Sequence, residues 1–451
     1  MRTSLPRKPL MSFWQIWNMS FGFMGIQMGF ALQNSNASGI LRNYGAEIEQ
    51  LSWFWLAAPI VGMIVQPIVG HYSDQTWSKF GRRKPYFLTG AILSSCALLL
   101  MPNAWILGEI APLVFIGAGF LMIMDASFNL AMEPFRALVA DNLSDEQRTQ
   151  GFSVQTFLIG VGAVIGSWLP AILTEFGISN EAPEGAVAAN VKTAFYVGAG
   201  VFLMSIFWTV IKTKEFDPIE YEKYHGRNED HKKGLGNIFK DLSKMPRTMR
   251  QLGLVQFFSW FALFGMWVFT TDSIATHIFG LPITDRSSKL YHEAQDWTGV
   301  IFGVYNLVSA LYALSLPKIA RAIGRKRTHA ISLIIGGLGL ISVFFAPNKY
   351  FLILSMTCVG IAWASILAMP YVILSSSIPA GKMGIYMGIF NFFITMPQIL
   401  NGLIGGPMVK YIYGNQPVYA IVLAGIFMLC AAISVIYVYD PVDIPVKENA
   451  R

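Results

Sequence analysis

The sequence predicts an all-α membrane protein of twelve transmembrane helices in two six-helix halves. Three observations carry that prediction: sparse charge, recurrent apolar runs of spanning length, and a loop-charge pattern repeated between the halves. Only 13% of the 451 residues are charged while 54% are hydrophobic, and the mean hydropathy is +0.49. A soluble domain carries about 25% charged residues, so these charges are too few to coat a globule. A hydrocarbon core about 30 Å thick needs roughly 20 apolar residues per helix, and such runs recur along nearly the whole chain.

The runs place spans at 12–33, 50–71, 85–105, 110–140, 150–173 and 191–212, then at 250–275, 297–317, 327–346, 350–378, 383–408 and 416–438. This gives an N-terminal six-helix bundle (1–212), a central loop (213–249), a C-terminal bundle (250–439) and a tail (440–451). The loop is charged and contains Pro and Gly, and its charges are costly in hydrocarbon. Within it Leu235, Ile238, Phe239 and Leu242 recur at helical spacing, with Lys233, Lys240 and Lys244 around them. They read either as a basic amphipathic helix on the inner leaflet or as a solvated linker.

The pI near 9.1 raises nucleic-acid binding, but the placement of the charge excludes it. Assigning loops alternately to two sides puts about 27 of the 33 Lys and Arg on the side that contains both termini, the positive-inside pattern. Both termini are therefore expected in the cytoplasm, with the chain in an inner or plasma membrane. Arg2, Arg7 and Lys8 precede the first apolar run, which lacks a convincing cleavage site and reads as a membrane helix. Cys96, Cys358 and Cys430 each lie in an apolar span, where a small buried hydrophobe is expected rather than a disulfide or metal site.

The halves share a loop pattern. Gly70-His71-Tyr72-Ser73-Asp74 and Lys79-Phe80-Gly81-Arg82-Arg83-Lys84 follow the second span; Lys318 to Arg327, with Gly324-Arg325-Lys326-Arg327 at its end, follows the eighth. Repeated halves are a common transporter plan. The GxxxD and G-R-R-K elements resemble the loop signature of the major facilitator superfamily. Asp74 can cap a helix end or pair with Arg82 or Arg83.

The resemblance narrows further. Gly29-Phe30-Ala31-Leu32-Gln33, the stretch from Trp55 to Gly70, and Phe80-Gly81-Arg82-Arg83-Lys84-Pro85 are similar to the plant sucrose transporters and their bacterial and animal relatives. So are Asp125, Pro134, Arg136-Ala137-Leu138 and Ala140-Asp141 in span 4, and Gly388-Ile389-Phe390-Asn391 with Met396-Pro397-Gln398 in span 11. This is the glycoside-pentoside-hexuronide:cation symporter group, and the match covers most of the chain. The chain departs from it in span 7, where the plant carriers place an acidic pair after Trp-Phe. Here Trp260-Phe261 is followed by Ala262-Leu263-Phe264-Gly265, and the only acid is Asp272. Glu133 stands where the family usually has Gly.

Asp125 lies about 15 residues from the cytoplasmic end of span 4, roughly 22 Å in at 1.5 Å per residue and so near the midplane. An ionised carboxylate there is expensive unless solvated or paired, which makes proton uptake and release a natural coupling event. The resemblance implies the same role. The alternative is a neutral Asp bonded to a neighbouring helix. Melibiose-type carriers use acids on spans 2 and 4 for sodium, but span 2 here has none, and a bound cation wants several oxygen ligands. The expected coupling ion is therefore the proton, with no other cofactor.

Glu133, Arg136 and Asp141 lie lower on span 4 and read, with Asp74, Arg82 and Arg83, as a cytoplasmic gate. Glu133 and Arg136 at i, i+3 are expected to pair, beside a bend at Pro134. A neutral sugar needs amides for its hydroxyls and flat surfaces for its ring faces. The candidates are Gln27, Gln33, Asn34, Gln66, Asn129, Gln155, Gln256, Asn306, Asn391 and Gln398, with Trp260, Trp267 and Trp363 as stacking platforms; interhelical bonding is the competing role for each amide. Asn129, four residues from Asp125, shares its face. Asp272 and His277 are expected near the outer end of span 7 in a solvated role.

The resemblance thus implies sugar:proton symport of a disaccharide such as sucrose or maltose by alternating access. Its partners would be a small sugar, protons and membrane lipid, with no nucleic acid and a monomeric carrier. An exporting or sodium-coupled glycoside carrier and a non-transporting sugar sensor remain the rivals. No nucleophile-base constellation or metal motif points to an enzyme.

Overall fold

The computed structural model describes residues 6, 8–46, 48–180, 185–225, 242–284, 288–379 and 381–442. Every named element among them is helical. In the first half these are α1 (Phe13–Ser20), α2 (Gly22–Asn43), α3 (Ile48–Gln75), α4 (Lys84–Leu100), α5 (Leu113–Asn142), α6 (Asp145–Glu175), α7 (Ala189–Lys212) and α8 (Pro218–His225). The second half contains α9 (Arg247–Ser273), α10 (Lys289–Ile323), α11 (Arg325–Ser342), α12 (Phe351–Ser375), α13 (Met383–Phe390), α14 (Phe392–Pro407) and α15 (Val418–Ile436).

Ten helical segments among the described residues are long and apolar enough to cross a membrane. The broken helix α1–α2 and α3 complete the twelve segments of an integral membrane protein. Two segments are interrupted, the first at Phe21 and the eleventh at Asn391. The first span also runs past the expected boundary at 33 to Asn43. Its polar last turns remain helical because Asn36 donates to the Leu32 carbonyl over 2.9 Å, satisfying itself on its own helix.

Local chemistry sets several ends. Ser12 and Gln15 form a reciprocal capping box at the start of α1, and Pro85 sits in the first turn of α4. Gly81 (φ 116°) and Gly324 (φ 90°) immediately precede the third and ninth spans. Both adopt a backbone that side chains rarely tolerate, so the repeated glycine-basic pattern is also a repeated turn. Helix α5 continues through Pro134.

The chain packs as two compact units, Met1–Lys244 with Ile378–Asn391, and Met245–Ser377 with Phe392–Arg451. The first unit therefore includes α13. Small residues let its helices approach closely: a Cβ on Gly90 would stand 2.8 Å from the Ala131 nitrogen of α5. Aromatic edges fill the space between, as where Phe135 meets Phe23 and Phe87 at ring centroids 4.7 and 4.8 Å away. In the second unit α15 packs against α9 and α11, and α11 against α12.

Two expectations need adjustment. Cys96 is exposed on α4 and Cys358 and Cys430 are half-buried, because these faces of membrane helices look outward to a medium as apolar as a core. Asp272 is bonded as well as partly exposed, accepting the Tyr291 hydroxyl at 3.1 Å, and His277 meets the Phe344 carbonyl at 2.8 Å. Leu235, Ile238 and Phe239 of the amphipathic segment, with Lys233 and Lys240, lie outside the described residues, as do Arg2, Arg7 and the tail beyond 442.

Candidate functional site

Helix periodicity puts Asp125 and Asn129 one turn apart on the inner face of α5. The Asn129 amide donates to the Asp125 backbone carbonyl at 2.7 Å, which turns its oxygen toward α3. There the Gln66 amide donates to it at 2.5 Å. From α2, Gln33 donates to Asp125 Oδ1 at 2.5 Å. Gln33 of α2 thus reaches the carboxylate directly, and Gln66 of α3 is joined to α5 through Asn129. Asp125 is 2% exposed. Its second oxygen, Oδ2, and the carbonyl oxygens of Gln33 and Gln66 have no hydrogen-bond partner among the described residues. A Cβ on Gly62 would lie 3.2 Å from the Asn129 side-chain oxygen and 3.4 Å from the Asn391 amide nitrogen, so Asn391 borders the same cluster.

The structure thus assembles Gln33, Gln66, Asp125, Asn129 and Asn391 within the first unit. It does not bring Gln27 or Asn34 to that cluster by any hydrogen bond: Gln27 is half-buried and Asn34 exposed. Gln155 is buried on α6 with Nε2 unbonded among the described residues. In the second unit, Asn306 and Gln398 turn back to carbonyls of their own helices, Phe302 at 3.0 Å and Ile394 at 3.1 Å. Gln256 is fully buried, and Trp260, Trp267 and Trp363 stand edge to face.

At one end of the first unit lies a charged knot. Arg83, 1% exposed, reaches Asp74 at 2.6 Å, Asp141 at 2.8 Å and the Ser73 hydroxyl at 2.6 Å. Arg82 donates to the Asp74 backbone carbonyl at 2.7 Å and approaches the carboxylates of Asp74 and Asp141 at 3.3 and 3.7 Å. Burial alone would lower the Arg83 pKa, but Asp74 and Asp141 outweigh it and hold the guanidinium charged above its ordinary range. Asp74 does both things its sequence context allows: besides the arginines it accepts the backbone N–H groups of Gly384 at 3.0 Å and Ile385 at 2.8 Å. These are first-turn donors of α13, otherwise left without an acceptor.

Glu133 and Arg136 interact electrostatically, as their i, i+3 spacing allows. Both Glu133 carboxylate oxygens lack a hydrogen-bond partner among the described residues, although Arg136 and Arg83 act on it electrostatically. Helix α5 is buried all round from Glu133 to Asn142.

Sequence reasoning missed a strap from the segment after α7. Glu215 accepts three consecutive backbone N–H groups, those of Arg82 at 2.7 Å, Arg83 at 3.0 Å and Lys84 at 3.0 Å. It thereby serves the start of α4, which no side chain of its own caps. Tyr221 donates to Asp141 at 3.3 Å and lies under the Arg82 guanidinium, 4.3 Å from the ring centroid. His225 stacks on Tyr221 at 4.0 Å and meets the Asp141 carbonyl at 3.1 Å; Lys8 donates to that carbonyl at 2.6 Å. Burial and the neighbouring Lys8 lower the His225 pKa to about 4. The signal was the apolar-aromatic spacing in Phe216, Tyr221 and Tyr224, hidden in a stretch read only for its charge.

This helical membrane bundle carries a buried carboxylate among amides, and its comparisons with known proteins place it among membrane transporters. The chain belongs to the major facilitator superfamily, whose model matches residues 19–402 and again 291–451. Among curated relatives, Arabidopsis thaliana sucrose transport protein SUC4 is 26% identical over 439 residues, covering 88% of this chain and 84% of that protein. Sucrose transport protein SUT3 of Oryza sativa subsp. japonica is 24% identical over 466 residues, covering 90% and 89%. Among solved structures, the major facilitator transporter FucP in its outward conformation superposes with a TM-score of 0.67 at 16% identity, covering 95% of this chain and 98% of that one. A bacterial homologue of the iron transporter ferroportin gives 0.68 at 13% identity, covering 94% and 98%. At these identities the structural likeness bears on fold alone.

Proposed function

We propose that the protein carries a sugar across the membrane together with a proton, by alternating access, and that the sugar is a disaccharide of the sucrose or maltose type. Asp125 is the proton carrier in this reading. The observation that carries it is the geometry of its carboxylate: one oxygen held by Gln33 at 2.5 Å and the other buried without a hydrogen-bond partner among the described residues. Such a seat has a place for one proton, and it offers a single carboxylate, since the second span carries no Asp or Glu between Leu51 and His71. The naming of the curated relatives as sucrose transport proteins supports the sugar. Gln33, Gln66 and Asn129 tie sugar and proton together, since a hydroxyl that recruits one of these amides changes what the carboxylate feels.

The charged knot acts as the gate on the side where we place both termini, the cytoplasm, in keeping with the excess of Lys and Arg there. The membrane is the inner or plasma membrane, and the working unit is a monomer. Purified protein in liposomes with an imposed inward proton gradient tests the reading. Labelled sucrose or maltose should accumulate, and Asp125→Asn should abolish gradient-driven accumulation while leaving sugar exchange. Unchanged gradient dependence in Asp125→Asn removes that residue from the coupling role.

A further inference from the structure

We propose that Glu133 is a second proton-binding group, placed on α5 between Asp125 and the charged knot, which holds a proton while it is buried and releases it when water reaches it. This rests on the proton-coupled reading and deepens it by adding a second ionisation to the cycle.

Asp125, Glu133 and Asp141 stand at eight-residue intervals along α5. At 1.5 Å per residue each step is about 12 Å along the axis, so Glu133 lies midway between the other two. Their surroundings differ. One oxygen of Asp125 is held by Gln33, and Asp141 is paired with Arg83 at 2.8 Å. Glu133 is 0% exposed, and neither of its carboxylate oxygens has a hydrogen-bond partner among the described residues. A carboxylate with no donor on either oxygen keeps its charge out of water only at a large loss, and taking up a proton removes that loss.

The charges around it do not replace the missing donors. Arg136 and Arg83 attract it and Asp74 repels it. Arg83 is already committed to Asp74 and Asp141, and these two carboxylates match the charges of Arg82 and Arg83, so the knot as a whole offers Glu133 little net attraction. Arg136 adds its charge without a hydrogen bond to either oxygen. Of the helices packed on α5, α2 carries no charged residue before Arg42, α4 carries Lys84 at its start, and α13 has Tyr386 as its one titratable side chain. Helix α6 keeps its charges at its two ends, Asp145, Glu146 and Arg148 in the first turn and Glu175 in the last. On α3, His71 is engaged by Gln75 at 2.8 Å.

The step itself is a single proton transfer. The carboxyl O–H breaks, the proton passes to entering water, and the carboxylate stays behind in the field of Arg136; the reverse transfer restores the neutral group before the water leaves.

Infrared difference spectra of the full-length protein in liposomes, recorded in light and heavy water at pH 7.5, test this through the carbonyl stretch of protonated carboxyl groups. We expect a band that survives in Asp125→Asn and disappears in both Glu133→Gln and Glu133→Met, the second variant standing in where the amide disturbs folding. Initial uptake with internal pH varied between 5.5 and 8.5 should report two ionisations in wild type, one in Glu133→Gln and two again in Glu133→Asp, the first two profiles parting by about threefold at one end of the range. A Glu133→Gln spectrum identical to that of wild type, or a superimposable pH profile, overturns the proposal. Loss of the band in Glu133→Gln together with unchanged gradient dependence in Asp125→Asn overturns the coupling role of Asp125 and leaves the protonated Glu133 standing.

Discussion

Gln33 Nε2 lies 2.5 Å from Asp125 Oδ1, so a residue of the first membrane segment holds a carboxylate of the fourth. The bond fixes which oxygen is occupied and leaves Oδ2 without a hydrogen-bond partner among the described residues, the oxygen that the proposed coupling would protonate. Gln33→Leu removes that hold without altering the acid. Uptake should persist but its pH profile should move by about half a unit or more, read from initial rates between pH 5 and 8. A superimposable profile would mean the amide does not act on Asp125.

The charged knot should show the asymmetry of buried ion pairs. Asp74→Ala leaves Arg82 and Arg83 buried with one carboxylate fewer and strips an acceptor from two N–H groups of α13, a loss of about 3–5 kcal/mol. Asp74→Ala combined with Arg83→Met should recover part of it, since two apolar groups are better neighbours than one unmatched charge. Thermal unfolding of the four proteins of the cycle measures this, and simple additivity would refute the coupling.

The strap should loosen in acid. His225 is neutral where it docks, its pKa lowered from 6.5 to about 4 by burial and then by Lys8, with Asp141 opposing and Arg148 reinforcing. Its contribution to docking is complete above pH 6.5 and is lost as pH falls toward 4, by about 3 kcal/mol at most. Hydrogen exchange across residues 218–225, corrected for the intrinsic rate, should be slow at pH 7.5 and faster at pH 5. The His225→Gln protein should lose this difference.

Helices α3 and α13 should tolerate no methyl group between them. A Cβ on Gly384 would stand 2.5 Å from Arg83 Nη1 and 2.6 Å from the Gly70 carbonyl oxygen, so Gly384→Ala should cost roughly 1–3 kcal/mol and impair transport. Gly119→Ala, with nothing within 4 Å of its Cβ, is the matched control. Equal thermal midpoints for the two would show that the helices can move apart freely.

The membrane helices were legible because lipid imposes a length and a composition on each, and several ran past their expected ends, the first where Asn36 bonds within its own helix and the eighth over Lys289–Ile323. Asp125 with Asn129 was legible for the same reason: depth and a four-residue spacing are properties of one helix. Gln33 and Gln66 could be named as candidates, but the meeting of one with Asp125 and the other with Asn129 depends on how three helices rotate about their axes. Glu215 was invisible because its partners are backbone N–H groups, which every residue carries.

Arg83 and its two aspartates are buried, so their attraction is far less subject to the screening that weakens contacts on a wetted surface over distances of about 8–10 Å. The grip that Asp74 keeps on α13 should therefore be as firm in concentrated brine as in dilute buffer. A cell living through swings in osmotic strength would find this clasp indifferent to them.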